Sequence, residues 1–256
     1  YEPHEIEGRT AESYYPQSKD RDAFKAAIME HGEVSDFPGQ MVRRDGTVID
    51  ISISSHALYD YAGNFAGVEG IYRDVTQRKN LERELQRLAT TDMLTGIANR
   101  RAFLECAESA YAHSRSNGEP LTLLMLDLDY FKTINDRFGH LEGDRALMAF
   151  AQAIKGQLRA SDAVGRLGGE EFGVLLPVTT LAEGLEVATR MLHSILALEL
   201  TDDAGHSYRV TTSLGVSTFR QSDRSLRDML DRADQALYLA KHRGRNQVAS
   251  LETLGE

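Results

Sequence analysis

The chain has 256 residues, of which 41% are hydrophobic, and this length is enough for two ordinary domains that each bury a core. Its 29 basic and 39 acidic residues give a formal charge of −10, which argues against a nucleic-acid polymer or an anionic membrane surface as the main partner. The single cysteine, Cys106, excludes an internal disulfide and indicates a reducing compartment, so we expect a cytoplasmic protein.

The apolar stretches of the chain are short. The longest, such as LTLLML at 121–126, have the length of a strand, whereas a membrane helix needs about 20 apolar residues. No signal peptide is visible, and we expect no membrane contact from this segment. Because Tyr1 is not a natural first residue, we expect a piece of a longer protein, whose other parts have room for a membrane anchor.

The first part of the chain, residues 1–76, has the pattern of a polar helix followed by antiparallel strands. The Asp-Gly pair at 45–46 is a favoured hairpin turn between two predicted strands. Ile49, Ile51 and Ile53 recur with a period of two and therefore fall on one face of the second strand. The later stretch DYAGN predicts another turn and a further strand in the same sheet.

Between Val75 and Thr90 the sequence changes to that of an amphipathic helix. Leu81, Leu85 and Leu88 follow at spacings of four and three residues, which is about one heptad and too little for a stable coiled coil alone. Two interpretations stay open. The stretch is either a linker helix or a signalling helix that pairs with a second chain when its flanking domains also dimerise.

Beyond residue 92 the predicted helices and strands alternate. The run LTLLMLDLD is nearly all apolar, as expected for a central strand, and it ends in Asp127 and Asp129. The helix predicted for 144–160 turns one apolar face to a core, formed by Leu147, Ala151, Ile154 and Leu158. The further predicted elements are a hairpin at 166–176, a helix near 181–197, a strand at 209–219 and a helix that stops at Gly244. We infer an α+β fold, with a central mixed or antiparallel sheet covered by helices.

The predicted hairpin places two glycines, Gly168 and Gly169, directly before two glutamates, Glu170 and Glu171. Adjacent glycines leave the backbone bare and able to take positive φ, so that another molecule can approach it closely. Neighbouring carboxylates repel each other unless they are solvated or share a cation, and hard divalent metals prefer such oxygens. The stretch therefore predicts a site for a metal-bound polyphosphate.

Asp127 stands where the buried strand emerges, and the Gly-Gly hairpin is a natural neighbour for that strand. Together they would place Asp127 beside Glu170 at about the separation that Mg²⁺ bridges, with the carbonyl oxygen of Leu128 as a further ligand. Simpler interpretations stay open for each motif alone. The aspartates at a strand end are often the N-cap of the next helix, and a Gly-Gly pair is often just a turn.

Five separated motifs occur in an order that resembles the GGDEF family, the diguanylate cyclases, over about residues 91–250. They read TDMLTGIANRRAF, DLDYFKTINDRFGHLEGDRAL, RASDAVGRLGGEEFGVLL, RVTTSLGVSTF and ADQALYLAKHRGRNQV. The hairpin carries Glu170 where the family name has its first acidic residue, Asp; this GGEEF variant keeps a metal-binding carboxylate. The resemblance implies the palm-like fold of nucleotidyl cyclases, with a central antiparallel to mixed sheet.

The resemblance also implies a role for each matching residue. Mg²⁺, or Mn²⁺, would be held by Asp127, Glu170 and the carbonyl of Leu128. The guanine edge would be read by Asn135 and Asp144, and the polyphosphate would be held by Lys132, Lys241 and Arg245. The backbone of Gly168 and Gly169 would lie against the nucleotide, and Glu171 would help to deprotonate the attacking 3′-hydroxyl. Without the family pattern these residues also fit plainer roles, Asn135 and Asp144 as helix caps and the three basic residues as solvated helix charges.

The reaction of the family joins two GTP molecules into cyclic di-GMP and releases two diphosphates. One such pocket holds one GTP, and each 3′-oxygen attacks the other molecule, so the resemblance implies a homodimer with facing sites. The sequence RASD, from Arg159 to Asp162, stands before the Gly-Gly pair at the spacing of the family's inhibitory site. Arg159 and Asp162, with Arg190 on the following helix, would bind cyclic di-GMP as a feedback inhibitor.

The first part of the chain resembles a PAS domain that lacks its first strands, and its ligand is not readable from the sequence. His31 and His56 are weak candidates for haem ligation, and no cysteine in this part would serve flavin photochemistry. We therefore predict a PAS domain at 1–76, a linker helix at 77–91 and a GGDEF domain at 92–256. The chain is predicted to be a bacterial, sensor-regulated cyclase that makes a second messenger.

Two other classes of function stay open at this point. A catalytically silent GGDEF domain would bind GTP or cyclic di-GMP and pass the signal to a partner. A structural PAS dimerisation module with a passive second domain would leave the acidic cluster unexplained. The presence of Asp127, Glu170, Lys132 and Asn135 argues against silence, because degenerate receptors commonly lose such residues.

Overall fold

A computed structural model describes residues 1–252 of the chain. The chain divides into two compact units, the first spanning Tyr1–Gln86 and the second beginning at Arg87. The division falls within a helix, α3, that occupies Thr76–Thr90. No helix in the described part of the chain is both long enough and apolar enough to cross a membrane.

In the first unit, helices come first in the sequence and a three-stranded antiparallel sheet follows them. Its elements are helix α1 (Pro3–Ile6), a 3-10 turn (Ala11–Tyr14), helix α2 (Ser18–His31) and strands β1 (Glu33–Val42), β2 (Val48–Tyr59) and β3 (Phe65–Asp74). Ile51 and Ile53 of β2 are buried against Phe24 and Ile28 of α2, which confirms the predicted apolar face. Residues 43–47 and 60–64 form the two predicted turns.

The two histidines considered for haem lie on the surface of this unit. The His31 side chain is 63% exposed and near Glu30, and the His56 side chain is 56% exposed and near Glu69. Each imidazole therefore faces an acidic neighbour in solvent.

The second unit is built on a five-stranded sheet in the order β10-β9-β4-β6-β5. Its strands are β4 (Leu121–Leu128), β5 (Ala163–Gly168), β6 (Glu171–Pro177), β9 (Thr212–Thr218) and β10 (Val248–Ser250), and a separate two-stranded hairpin is formed by β7 (Leu200–Thr201) and β8 (Ser207–Tyr208). Its helices are α4 (Arg100–Asn117), α5 (Phe131–Phe138), α6 (His140–Lys155), α7 (Leu181–Leu196) and α8 (Leu226–His242). The β9–β10 pair is parallel and the other pairs of the large sheet are antiparallel, so the predicted mixed sheet with flanking helices is confirmed.

Strand β4 lies at the centre of this sheet, and every one of its residues is buried. Leu124 and Leu126 point to one face, where α6 and α7 cover them, with Phe150 and Met191 among the packed side chains. Its alternate residues pack on the opposite face against α4 and α8. A strand covered on both faces needs a nearly continuous apolar sequence, which explains the LTLLML run. The one polar residue of that run, Thr122, donates its hydroxyl to the carbonyl oxygen of Thr179 at 2.8 Å.

Strand β9 approaches helix α8 closely at Gly215. A β-carbon built on Gly215 would lie 2.1 Å from the carbonyl oxygen of Ala233 and 2.3 Å from the backbone nitrogen of Leu237. These are backbone atoms of α8, which cannot rotate out of the way. Glycine at this position therefore sets how closely the helix packs on the sheet.

The structure corrects the predicted limits of one helix. Helix α6 begins at His140 and ends at Lys155, whereas the sequence predicted a helix at 144–160, so it starts four residues earlier and Leu158 lies beyond its end. The single residue Gly139, at φ 86°, separates it from α5 and leaves no room for a longer turn. Leu158 nevertheless packs against the same apolar core.

Candidate active site at the end of the central strand

The antiparallel pairing of β4 with β6 brings the end of the central strand to the Gly-Gly hairpin. Asp127 is opposite Glu171 in the register, and the N–H of Leu128 donates a hydrogen bond to the carbonyl oxygen of Glu170 at 3.2 Å. The prediction that the hairpin is the neighbour of this strand is confirmed. The direct register partner of Asp127 is Glu171, and Glu170 stands one residue further, in the turn.

The hairpin tip is open above its backbone. Strand β5 ends at Gly168, Gly169 follows at φ 39°, and β6 begins at Glu171. Within the described residues, a β-carbon built on either glycine would have no atom within 4 Å. The turn therefore presents bare backbone with space for another molecule, as the sequence predicts.

Arg166, which belongs to none of the site residues predicted from the sequence, stabilises this turn by hydrogen bonds. Its Nε and Nη2 donate to the carbonyl oxygen of Gly169 at 2.9 and 2.8 Å, and its Nη1 reaches a carboxylate oxygen of Asp92 at 3.2 Å. Burial opposes ionisation of Asp92, but hydrogen bonds from Thr95 and the nearby guanidinium hold its pKa below the usual range. Asp92 stays charged and fixes Arg166 against the hairpin.

Asp127 is a buried carboxylate, 6% exposed, in an unusual electrostatic setting. Burial raises its pKa from 3.8 to about 6, the charge and hydrogen bond of Lys241 oppose that change, and the charges of Glu170 and Glu171 add to it. The ammonium nitrogen of Lys241 lies 2.7 Å from Asp127 Oδ2. The structure therefore brings together Asp127, Lys241 and the acidic turn, all of which the sequence analysis named.

Asp129 is also buried, and three donors satisfy its carboxylate. These are the hydroxyls of Thr211 and Ser213, at 2.9 and 2.8 Å, and the backbone N–H of Asn246, at 3.0 Å. Asp129 thereby ties the strand end to the loop after α8. The alternative in which the two aspartates cap the next helix is wrong, because Tyr130 is the N-cap residue of α5 and no side chain caps it.

The loop after α8 brings Arg245 to the same end of the sheet. Its guanidinium lies over the ring of Tyr130, 4.7 Å from the ring centroid, which is within the range of a cation–π contact. Tyr130 itself has φ 57°, an uncommon conformation for a residue with a side chain. Lys132 follows on the exposed side of α5, so two of the three predicted phosphate-binding residues lie on or beside this helix.

Asn135 and Asp144 lie inside helices α5 and α6, so the alternative in which they cap a turn is wrong. The Asn135 Oδ1 atom is buried and has no hydrogen-bond partner among residues 1–252. A β-carbon on Gly143 would lie 1.9 Å from that oxygen, so the amide is held against the backbone next to Asp144. A buried acceptor without a donor is costly.

The RASD residues form a second group at the start of β5, the edge strand of the sheet. Asp162 accepts a hydrogen bond from the backbone N–H of Arg159 at 2.9 Å, which closes the turn between them. Arg190 on α7 donates to the carbonyl oxygen of Gln157 at 3.3 Å, so two exposed guanidinium groups flank one turn. The structure thus places the three predicted residues of the product site near each other.

The donor set at the strand end suits a hard divalent cation, although it is not a preformed cage. Within residues 1–252 no group of three or more His, Cys, Asp or Glu side chains has the geometry to hold a metal ion. Two carboxylates and a backbone carbonyl provide oxygen ligands alone, which fits Mg²⁺ better than zinc or copper. Mg²⁺ usually keeps waters or takes substrate phosphates at its other positions, so an incomplete protein cage agrees with that ion.

The model of the family described as "Diguanylate cyclase, GGDEF domain" matches residues 89–247. The chain therefore belongs to the GGDEF family of diguanylate cyclases. It is 40% identical over 172 residues to the response regulator PleD of Caulobacter vibrioides, which is 67% of this chain and 38% of PleD. It is 37% identical over 178 residues to the diguanylate cyclase DgcM of Escherichia coli K12, which is 70% of this chain and 42% of DgcM.

Solved structures of the family share the fold. The coiled coil and GGDEF domain of DgcB from Caulobacter crescentus, in complex with c-di-GMP, gives a TM-score of 0.66 at 29% identity, covering 68% of this chain and 92% of that one. The diguanylate cyclase SiaD of Pseudomonas aeruginosa, solved with its activator SiaC, gives a TM-score of 0.62 at 37% identity, covering 68% and 66%. These likenesses identify the fold of the second unit as the GGDEF type.

Proposed function

We propose that the chain is an active diguanylate cyclase, which condenses two GTP molecules into cyclic di-GMP and two diphosphates. The observation that carries this proposal is the pairing of β4 with the Gly-Gly hairpin, which sets Asp127 and the acidic turn beside open backbone. Family membership supports the same reaction. The GGEEF variant keeps a carboxylate at Glu170, so it retains the charge that the reaction uses.

Asp127, Glu170 and the carbonyl oxygen of Leu128 would hold Mg²⁺ or Mn²⁺. The cation, when bound, lowers the pKa of the attacking hydroxyl and neutralises charge on the phosphates. Ionised Asp127 is the form that binds a cation, and Lys241, at 2.7 Å, favours that form before a nucleotide arrives. Lys241 then has a second acceptor available in the triphosphate, where a point charge is suitable.

The nucleotide would be held by three groups of protein atoms. The triphosphate lies against the bare backbone of Gly168 and Gly169, with cations supplied by Lys132, Lys241 and Arg245. The buried Oδ1 of Asn135 accepts from an N–H of the guanine, and Asp144 accepts from its neighbouring N–H groups. Guanine satisfies the unpaired acceptor of Asn135, and this gives the site its preference for that base.

The chemical step forms a bond from the 3′-oxygen of one GTP to the α-phosphorus of the other and breaks the bond from that phosphorus to the leaving diphosphate. The proton of the 3′-hydroxyl passes to a carboxylate, for which Glu171 is exposed and placed next to Asp127 in the register. A second, identical step closes the ring. Each site supplies one GTP, so the two sites face each other across a two-fold axis.

The homodimer that this mechanism needs has a candidate contact in α3. Leu81, Leu85 and Leu88 share one side of the helix and are 58%, 65% and 49% exposed. Three exposed leucines at heptad spacing are suited to a second copy of the same helix. We infer that α3 is a two-chain signalling helix, that the first unit is a PAS-type sensor, and that the reaction occurs in the cytoplasm, where GTP is available.

Product feedback is a further part of the proposal. Arg159 and Arg190 flank one turn, and paired guanidinium groups bind phosphates and guanine edges well. Asp162 closes that turn, so it would hold Arg159 in place as well as accept from the base. Bound cyclic di-GMP at this turn would keep two domains from reaching the productive arrangement.

The direct test is to incubate the purified chain with GTP and Mg²⁺ at several protein concentrations and to separate the nucleotides by chromatography. We expect cyclic di-GMP, formed at a rate that rises faster than linearly with protein concentration. Glu170→Gln should abolish turnover, whereas Glu108→Gln, at an exposed position on α4, should leave it unchanged. If the wild-type chain binds GTP or cyclic di-GMP but forms no product, the chain is a receptor and the enzymatic proposal is wrong.

A further inference from the structure

The corner between α5 and α6 carries both residues that we assign to the base, Asn135 and Asp144. Gly139 alone joins the two helices, at φ 86°, and it has no side chain with which to cap the start of α6. The direction of Asp144 relative to Asn135 therefore depends on the contacts that hold the first turn of α6.

Glu142 is buried in that first turn, although a glutamate near a helix start usually faces water. It is 5% exposed. Its Oε1 accepts a hydrogen bond from the hydroxyl of Tyr208 at 2.7 Å, and its Oε2 accepts from Arg145 at 3.0 Å. One carboxylate oxygen is thus paired within α6 and the other is paired with β8.

Tyr208 contacts both helices of the corner. Its ring stacks on Phe138, the last residue of α5, with centroids 4.7 Å apart and planes inclined by 20°. Its hydroxyl reaches Glu142 of α6, and burial together with that carboxylate raises the pKa of the hydroxyl, so it remains a donor. Arg145 also reaches Asp203 at the tip of the same hairpin, at 2.6 Å. The small β7–β8 hairpin therefore clamps the two helices together.

We propose that Tyr208 and Glu142 are positioning residues that set the base selectivity of the nucleotide site, because they hold Asn135 and Asp144 toward one base edge. This inference rests on the proposed function, in which those two residues read guanine. The clamp acts through the direction of the helices and not by contact with the base. Loss of the clamp weakens recognition of the base, whereas Asp127 and Glu170 are held from the sheet and keep their places.

Tyr208→Phe tests the clamp because it removes the hydroxyl and keeps the ring on Phe138. The probes are 3′-deoxy-GTP, which cannot react because it lacks the attacking hydroxyl, and 3′-deoxy-ITP, which also lacks the 2-amino group of guanine. We expect the Kd of 3′-deoxy-GTP to rise about tenfold, as for the loss of one buried hydrogen bond, and that of 3′-deoxy-ITP to rise by less than roughly threefold. Glu142→Gln keeps an acceptor for Tyr208 and should retain most of the preference for guanine.

Tyr111→Phe is the matched control, since Tyr111 is buried in the core with α4 and α8 and donates to the carbonyl oxygen of Asp223 at 2.9 Å. It should lower Tm as Tyr208→Phe does but leave base selectivity unchanged. The inference is overturned if Tyr208→Phe lowers Tm and keeps the wild-type selectivity, or if the wild-type chain binds both probes equally. Neither probe reacts, so the binding experiment does not depend on turnover. If the wild-type chain makes no cyclic di-GMP from GTP, the proposed enzymatic activity is wrong, and the proposed role of Tyr208 and Glu142 in base selectivity is still decided by the two Kd values.

Discussion

Replacing Asp127 with asparagine should abolish activity and yet stabilise the metal-free protein at alkaline pH. The substitution removes the buried charge and keeps the size of the side chain. The pKa of Asp127 is raised from 3.8 to about 6, mainly by burial, so the folded state prefers the protonated acid. At about 1.4 kcal/mol for each pKa unit, ionised Asp127 costs the folded state about 3 kcal/mol at pH 8.

The direction of the pH dependence follows from that raised pKa. The contribution of Asp127 to stability is fully present below pH 4, and it is lost as the pH rises through about 6 in the folded state. Asparagine does not titrate, so the stability of Asp127→Asn relative to the wild-type chain should increase between pH 4.5 and 8. Lys241 loses a charged partner, but its side chain is 30% exposed and can be hydrated, so we expect a net gain of about 1–2 kcal/mol at pH 8.

The assay is urea unfolding in EDTA at several pH values, followed by circular dichroism, for the wild-type chain, Asp127→Asn and the control Asp234→Asn. Asp234 is exposed on α8, so Asp234→Asn controls for the loss of one surface carboxylate. Mg²⁺ should stabilise the wild-type chain and have less effect on Asp127→Asn, since binding to the folded state alone raises stability. The reasoning is refuted if Asp127→Asn is less stable than the wild-type chain at both pH 4.5 and pH 8, and by the same amount at each.

Three further substitutions test the site and its support. Arg166→Gln removes the contacts to Gly169 and Asp92, and we expect kcat to fall at least about tenfold because the turn that carries Glu170 loses its support; unchanged turnover would contradict this. Arg159→Ala should relieve inhibition by cyclic di-GMP and leave the initial rate unchanged, measured with and without added product; undiminished inhibition would exclude the feedback site. Gly215→Ala forces a β-carbon against the backbone of α8 and should cost about 3 kcal/mol or more in urea unfolding, whereas a change below about 1 kcal/mol would show that the helix adjusts.

The sheet of the second unit was predictable because its strands are long and their apolar patterns are unambiguous. Strand β4 is buried on both faces, so Thr122 is its one polar residue before Asp127. The two glycines and the apolar residues after them fixed the hairpin that pairs with this strand. Two neighbouring strands then bring their ends to one edge of the sheet, which is why the closeness of Asp127 to the acidic turn could be predicted without coordinates.

The limits of α6 were harder to predict, because local sequence favours two different structures there. Gly139 and Gly143, four residues apart, disfavour a helix locally, which is why the predicted helix begins only at residue 144. In the structure Gly139 connects α5 to α6, and Gly143 has no side chain, so Asn135 can approach the backbone of α6. Residues 140–143 are compatible with either a turn or a helix by local sequence, and tertiary packing determines that they are helical.

The contacts that support the site join positions far apart in sequence and leave no periodic signal. Arg166 and Asp92 are 74 residues apart, and each alone resembles a surface charge. Strands β7 and β8 have two residues each, so no alternation of side chains is available to reveal them. The partner of Glu142 could therefore not be found before the fold was known.

Buried polar residues are where the sequence rules fail at this site, and the reason is physical. Asp127 and Glu142 are charged side chains, yet both are at least nine-tenths buried. A buried charge must have partners, and Lys241 and Tyr208 supply them from elements that pack only after the sheet has formed. In the proposed function the charge of Asp127 would bind the cation, so a residue that destabilises the fold would serve the reaction. Glu142 differs from Asp127 in this respect, because both of its carboxylate oxygens accept hydrogen bonds within the protein. We therefore assign Glu142 to orienting α5 and α6 and not to binding a ligand.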